Sequence, residues 1–377
     1  MEWGNAACAL LQSFLGRSGR IAEPSRVTSL VMLECTRLGD VIAALPAVDV
    51  IRQSFPDATI HLVVKSAFAD LVSQLVPGVS VHGVADANGP ASLFSVISTV
   101  RALSPNLAVS LGPGRLNGLG ALLSGAGRIA GYLDGHASVV PFKGSNSVSR
   151  IGFTGSRKEE YGREPLSARA LKVCAVLGLE NGQPPIAVRY ARKSDVPVKE
   201  PSARRIALHP FSAWFFRSWP QEAFAGLCRI LLERTAHLLL ILGGPKDGRA
   251  MDTMRRLIGP APRVQFLAGE PLTRVADLLR VSDLFIGNDT GMLHLAVTLG
   301  VPSVGLYGPA APELTKPVGA RNGNFISLYH HLECSPCDQV RCVRPHDSCM
   351  QKIDPNTVAD AAMELLRRPG IQSIVHV

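Results

Sequence analysis

The chain has 377 residues, 46% of them hydrophobic and 18% charged, with a formal net charge of +9. That composition excludes a disordered chain, and 35 glycines and 27 prolines without a fixed period exclude collagen. No apolar run reaches the ~18 uncharged residues of a membrane-spanning helix, and the length predicts two domains.

The positive balance, with a sequence pI near 9.3, favours anionic partners. The charge is spread: residues 1–185 hold 16 Lys+Arg against 13 Asp+Glu, and residues 186–377 hold 23 against 17. With no basic stripe and only 6% aromatic residues, a dedicated nucleic-acid binder is disfavoured. Of eight cysteines, four are scattered (Cys8, Cys35, Cys174, Cys228) and four cluster between 334 and 349, which is not a disulfide scaffold. No secretory signal is visible, so a reducing cytoplasm is the expected compartment.

Residues 1–26 are atypical. Leu10, Leu11 and Phe14 can share one face of a short helix, ahead of Arg17 and Arg20. Two readings stand: a frayed tail, or a weak contact with a membrane surface. From residue 27 the pattern alternates strand and helix. Strands are expected at Leu30–Leu33, Ile60–Val64 and Leu107–Leu111, with helices near Ala67–Leu75, Ser92–Leu103 and Leu116–Leu123. Val41, Leu45, Val48 and Ile51 recur at helical spacing, and Pro46 predicts a kink or restart within that helix. Residues 181–204, with Pro184, Pro185, Pro197 and Pro201, read as a linker, although Ile186–Tyr190 can pair with a second sheet.

The second half repeats the rhythm. Strands are expected at Ile206–His209, Leu238–Leu242, Val264–Leu267, Leu284–Gly287 and Ser303–Leu306. Helices are expected at Pro220–Glu233, Asp247–Ile258, Leu272–Arg280, Met292–Leu299 and Val358–Leu366. The fold class is therefore α/β, with two doubly wound, Rossmann-like domains in tandem. The division is an extension over 1–26, a first domain over 27–185, a second over 200–355, and a C-terminal helix and tail over 356–377. Ligands of such sheets sit beyond the carboxyl ends of the strands, so the loops there carry the chemistry.

Four loops stand out. Cys35-Thr36-Arg37-Leu38-Gly39-Asp40 follows strand one, and Asp40 is either a helix N-cap or a carboxylate able to accept a proton. His209–Pro220 is long and aromatic; Arg217 either reaches phosphate oxygens or lies on the surface of an aromatic cluster. In Gly243-Gly244-Pro245-Lys246-Asp247, Asp247 either caps the next helix or holds ribose hydroxyls. Gly287-Asn288-Asp289-Thr290-Gly291-Met292-Leu293-His294 opens a helix whose free N–H groups suit an anion, and His294 lies one turn in. The alternative there is a capped, buried helix with His294 in its packing.

Two glycine patterns mimic a dinucleotide loop. Gly112-Pro-Gly114 follows a strand but misses the third glycine; Gly125-Ala-Gly127 follows a helix. The strand-one loop carries no such fingerprint, which disfavours a nicotinamide dehydrogenase. Cys334-x2-Cys337-x4-Cys342-x6-Cys349 offers three readings: four zinc ligands, reduced packing thiols, or disulfides.

Together the loops resemble the ADP-heptose:lipopolysaccharide heptosyltransferases, glycosyltransferase family 9. The carriers are LGDVIAALPAVDVIRQSFPDA (38–58), HPFSAWFFRSWPQEAF (209–224), LGGPKD (242–247) and NDTGMLHLAVTLGVPSVGLYGP (288–309). The segment CSPCDQVRCVRPHDSCM (334–350) resembles the cysteine-bearing tail of the heptosyltransferase II-like branch. The resemblance covers roughly residues 27–368.

It implies the GT-B fold, two Rossmann-like domains facing across a cleft. It implies an inverting transfer of heptose from ADP-heptose to the lipopolysaccharide inner core, with neither metal nor cofactor. By that likeness Asp40 is the catalytic base, and Arg217, Thr290 and Gly291 hold the donor diphosphate. Ser212, Lys246, Asp247, Asp289 and His294 then contact the donor nucleotide or sugar. The resemblance also implies a cytoplasmic enzyme with peripheral contact to the inner membrane surface. Phe211 departs from the glycine that many members carry there.

The chemistry suits these residues. A sugar hydroxyl needs a base as it attacks the anomeric carbon, and the departing diphosphate needs positive charge. One base without a second carboxylate favours single displacement with inversion. Transfer of another nucleotide-sugar on the same fold, and a non-catalytic nucleotide-sugar binder, are the competing readings.

Overall fold

The computed structural model describes residues 27–86, 90–135, 138–142, 165–179, 204–321, 323–337 and 342–368. The expectations for residues 1–26 and for Ile186–Tyr190 lie outside these. The chain divides into two compact units, Met1–Arg189 and Tyr190–Val377.

The first unit contains six strands: β1 (Ser29–Leu33), β2 (Thr59–Lys65), β3 (Ser80–Val84), β4 (Leu107–Ser110), β5 (Arg128–Gly135) and β6 (Ser138–Phe142). Among the described residues its helices are α1 (Leu38–Ser54), α2 (Ser66–Leu75), α3 (Pro90–Ala102), α4 (Arg115–Leu122) and α5 (Leu166–Val176). The sheet order is β3-β2-β1-β4-β5-β6, parallel except for the β5–β6 pair. Val31 and Leu33 of β1 join Val96 and Val100 of α3 and Ala121 of α4 in one buried cluster. Leu30 and Met32, on the alternate face, are equally buried. A strand buried on both faces is apolar throughout, which is why SLVML reads as a strand without alternation.

α1 runs from Leu38 to Ser54 through Pro46, so the helix does not restart there. Pro46 sits where both sides of the helix are buried, and this packing holds the helix where the proline removes a hydrogen bond. α1 packs against α5, where the Cys174 thiol donates to the Ala47 carbonyl at 3.8 Å.

The second unit repeats the topology with β7 (Arg205–His209), β8 (Leu238–Gly243), β9 (Val264–Ala268), β10 (Leu284–Asn288), β11 (Ser303–Tyr307) and β12 (Phe325–Tyr329). A 3-10 turn covers Phe215–Arg217. The helices are α6 (Gln221–Arg234), α7 (Gly248–Ile258), α8 (Leu272–Arg280), α9 (Gly291–Thr298), α10 (Pro312–Thr315) and α11 (Pro355–Arg367). The sheet order is β12-β11-β10-β7-β8-β9, all parallel. One core joins Ile206, Ile241, Ile286 and Val304 of the sheet to Phe224, Met254 and Val358 of α6, α7 and α11. The entry to α11 is fixed by Asp354, whose carboxylate accepts the N–H groups of Asn356 and Thr357 at 2.9 and 3.1 Å.

In both units the strand order reverses beside the first strand, between β1 and β4 and between β7 and β10. Loops leave there in opposite directions and open a crevice at the strands' carboxyl ends.

Gly131 explains one local constraint of the first sheet. Its φ is +115°, and a Cβ there would lie 1.9 Å from the Ser110 carbonyl oxygen on β4. Gly131→Ala is expected to lower unfolding stability by about 1–3 kcal/mol or more. Gly127→Ala, with nothing within 4 Å of its would-be Cβ, is expected to cost under about 0.5 kcal/mol. Denaturant titration of both variants checks this; equal losses would show that the β4–β5 approach is not the constraint.

Candidate active site

At the first unit's switch point a cavity of about 330 Å3 is lined by Glu34, Thr36, Arg37 and Asp40 after β1, Gly112 and Pro113 after β4, and Arg169 of α5. Asp40 is not an N-cap. Arg37 occupies that position without a side-chain cap bond, and Asp40 lies in the first turn of α1. Its partly exposed carboxylate is thus not spent on closing the helix.

The cavity holds a second carboxyl that the sequence reading passed over. Glu34 is buried at the end of β1. The Thr36 hydroxyl donates to its Oε1, and the Asn117 amide donates to the same oxygen at 3.2 Å. Burial first, and then the charge of Asp40, push the Glu34 carboxyl up to about 7. The available signal was a charged residue directly at the end of an apolar strand.

At the second unit's switch point the long aromatic loop is split in its packing. Phe211 and Trp219 are buried, whereas Phe215 is 82% exposed. Arg217 does not lie on the surface: its side chain is 18% exposed and Nη1 stands 3.5 Å from Asp289 Oδ2. Asp289 is buried at the end of β10 and also accepts from the Thr315 hydroxyl at 3.0 Å. Thr290 holds the N-cap position of α9 without a side-chain cap bond, and Gly291 is the first helical residue. The first-turn N–H groups of a helix lack intrahelical acceptors, and the dipole there favours an anion.

His294 is buried one turn into α9. Burial first, then the charge of Arg217, push its imidazole down to about 4. The Thr290 hydroxyl, His294 Nδ1 and the Tyr307 hydroxyl are buried without a hydrogen-bond partner among the described residues. Three polar atoms in that state around one helix end fit a site that a polar ligand completes. Tyr307 and Thr315 were not foreseen; Tyr307 lies one residue beyond the expected strand Ser303–Leu306.

Ser212 and Asp247 stand elsewhere in this unit. They line a cavity of about 580 Å3 with Phe211, Phe216, Trp219 and Gln351, which Arg217, Asp289, Thr290 and His294 do not line. Ser212 Oγ accepts the Trp214 N–H at 3.1 Å. Asp247 is at the N-cap of α7, but its carboxylate turns back to accept the Gly244 N–H at 2.7 Å. Lys246 is exposed. The expected nucleotide and sugar contacts are therefore divided between two surfaces of the unit.

Cys334, Cys342 and Cys349 are free thiols, with Cys349 buried, and Cys337 is half-buried beside them in sequence. Among the described residues no group of three or more His, Cys, Asp or Glu side chains is arranged to hold a metal ion.

Two doubly wound parallel sheets in tandem, each with polar groups gathered at its switch point, are the architecture of the GT-B fold. Residues 170–346 match the sequence model "Glycosyltransferase family 9 (heptosyltransferase)". The chain is 36% identical over 85 residues to lipooligosaccharide heptosyltransferase 2 of Campylobacter jejuni subsp. jejuni serotype O:2, covering 22% of this chain and 26% of that protein. The matched segments span from 26% to 44% of the length of the curated relatives first matched. In structure it is similar to the glycosyl transferase family 9 protein of Veillonella parvula (TM-score 0.66, 18% identity, 90% and 97% of the two chains). It is also similar to E. coli ADP-heptose lps heptosyltransferase II (TM-score 0.65, 17% identity, 90% and 98%).

The buried histidines give the second unit a pH dependence. Burial pushes His209, like His294, down to about 4, against an ordinary value of 6.5. An imidazole depressed in the folded state favours folding fully above its unfolded value and loses that contribution as pH falls from about 6.5 towards 4. Each site contributes on the order of 3 kcal/mol. Unfolding titrations at pH 7 and pH 5 are expected to show lower stability at pH 5, with a smaller difference in His294→Gln. An identical difference in parent and variant would mean that His294 is not the group titrating.

Proposed function

We propose that the protein is an inverting glycosyltransferase that moves heptose from ADP-heptose to a sugar hydroxyl of the lipopolysaccharide inner core. The observation that carries this reading is Arg217 beside Asp289 and the N-terminus of α9, at the switch point of the second unit's sheet. Names of relatives agree: one solved neighbour is a heptosyltransferase with ADP, another a heptosyltransferase with an ADP-heptose analogue.

The chemistry divides between the units. Asp40 takes the proton of the acceptor hydroxyl as its oxygen attacks the anomeric carbon. The bond from that carbon to the phosphate oxygen breaks, and the diphosphate leaves with the electron pair. Its growing charge is met by Arg217 and by the N–H groups at Thr290 and Gly291. Asp289, held by Thr315, orients the guanidinium. His294, neutral across physiological pH, can hydrogen-bond the donor without adding charge. This supply of positive charge needs no metal ion. Ser212 and Asp247 line a separate cavity suited to the nucleotide end, with Lys246 at its exposed edge. No helix among the described residues is long and apolar enough to cross a membrane; work on the cytoplasmic face, with peripheral contact to the membrane, is part of this proposal.

Incubation with ADP-heptose and truncated inner-core lipopolysaccharides, with and without a first heptose, is expected to add one heptose to one of them, read by mass spectrometry. Consumption of a different nucleotide-sugar, or binding without turnover, would favour the other two readings. Asp40→Asn is expected to keep donor binding and to lower turnover by roughly 100-fold or more; turnover at the parent rate removes Asp40 from the chemistry. Arg217→Ala is expected to weaken ADP binding by about 1.5–3 kcal/mol and adenosine binding hardly at all, by calorimetry. Equal losses would restrict Arg217 to shaping its loop. Transfer is expected to persist in chelator, and activity that returns only on adding Mg2+ or Mn2+ would overturn the metal-independent route.

A further inference from the structure

Glu34 has no part in the transfer as derived so far, yet it is the most tightly constrained acidic group of the first unit's cavity. Its carboxyl is buried, and Oε1 accepts from both the Thr36 hydroxyl and the Asn117 amide. Oε2 lies over the bare Cα of Gly112, where a Cβ would stand 2.1 Å from it. Asn117 is itself buried and anchored: it accepts the Cys35 N–H at 2.7 Å and donates to the Gly112 carbonyl at 3.2 Å. Thr36, Asn117 and Gly112 therefore fix one carboxyl against the wall of the cavity that Asp40 also lines.

The charged groups on the elements around it are Asp40 and Arg37 at the start of α1, Lys65 at the end of β2, Arg115 at the start of α4 and Arg169 of α5. The charge of Asp40 bears on Glu34. Burial by itself already favours the neutral form of a carboxyl.

We propose that Glu34 is a positioning residue for the transfer: its charge, fixed by Thr36, Asn117 and the space at Gly112, sets how readily Asp40 takes the acceptor's proton. The proposal rests on the function given above. With Glu34 protonated, the cavity holds one negative charge, on Asp40. With Glu34 ionised, a second negative charge favours the arrival of a proton on Asp40 during attack. Glu34 itself gains and loses no proton in the step; the acceptor's proton ends on Asp40, and the nucleoside diphosphate carries away the electron pair. Because Glu34 changes charge near pH 7, turnover is expected to climb through that pH.

Glu34→Gln keeps the acceptor oxygen for Thr36 and Asn117 and holds the position permanently neutral. The experiment is kcat against pH from 5.5 to 8.5 for parent and variant. The parent is expected to rise roughly three- to tenfold through pH 7, on the scale of a modest change in base strength. The variant is expected to lack the rise. A variant that rises as the parent does overturns the proposal, since a merely structural role would change the level and not the shape.

A second measurement does not need activity. The carboxyl carbon of Glu34, labelled with 13C-glutamate and identified by its loss in Glu34→Gln, is titrated in parent and in Asp40→Asn. Its midpoint is expected to fall in Asp40→Asn, and an unchanged midpoint overturns the coupling. If the parent transfers no heptose, the proposed function fails, while this titration still decides whether the two carboxyls act as a pair.

Discussion

Each sheet depends on one buried asparagine amide. At a switch point two neighbouring strands send their chains away in opposite directions, so backbone groups at their ends lose ladder partners inside the protein. Asn117 supplies them in the first unit, accepting from Cys35 and donating to the Gly112 carbonyl. Asn288 does so in the second, accepting the Trp219 N–H at 2.9 Å and donating to the Pro210 carbonyl at 3.0 Å. An amide offers both a donor and an acceptor on one rigid plane, which no aliphatic or hydroxyl side chain reproduces at that span. Both residues are fully buried. The crevice is thus held open by polar bonds that cost little only because every one of them is made.

The two crevices differ in charge in the way that the proposed reaction needs. The first gathers carboxyls, Glu34 and Asp40; the second gathers a guanidinium and a helix N-terminus, with Asp289 as the countercharge. Asp289 is not a competitor for the diphosphate in this scheme. A lone arginine on a loop has many rotamers, and one buried partner at 3.5 Å, itself tied to Thr315, restricts it to one direction. Preorganised charge stabilises a developing anion better than charge that must first be ordered.

The fold was legible because most strands are buried on both faces and appear as short apolar runs. β3, β5, β6 and β12 were missed for the opposite reason. SVHGV keeps only Val84 buried, β5 and β6 contain Gly131, Gly135 and Pro141, and FISLY is mostly half-buried at a sheet edge. The positions of Asp40, Asp289, Thr290 and His294 were legible because the loop after a parallel strand is where a ligand must approach. What was not legible is which of these residues share a surface. Ser212 is five residues from Arg217 in sequence, yet a 3-10 turn at Phe215–Arg217 separates them, and Ser212 faces Asp247's cavity. Glu34 was invisible because it falls between the expected strand Leu30–Leu33 and the loop that begins at Cys35, and so was weighed with neither.

The loop after β4 shows how a glycine pattern misleads for a physical reason. Gly112-Pro-Gly114 looks like a phosphate-binding turn with one glycine missing. A Cβ at Gly112 would meet Glu34 Oε2 at 2.1 Å, and one at Gly114 would meet Thr36 Cγ2 at 2.8 Å. Both positions are small because the loop after β1 presses against them. The requirement for glycine comes from the same close approach that seats the Glu34 carboxyl in the cavity wall, so the contact between two neighbouring loops accounts for the motif.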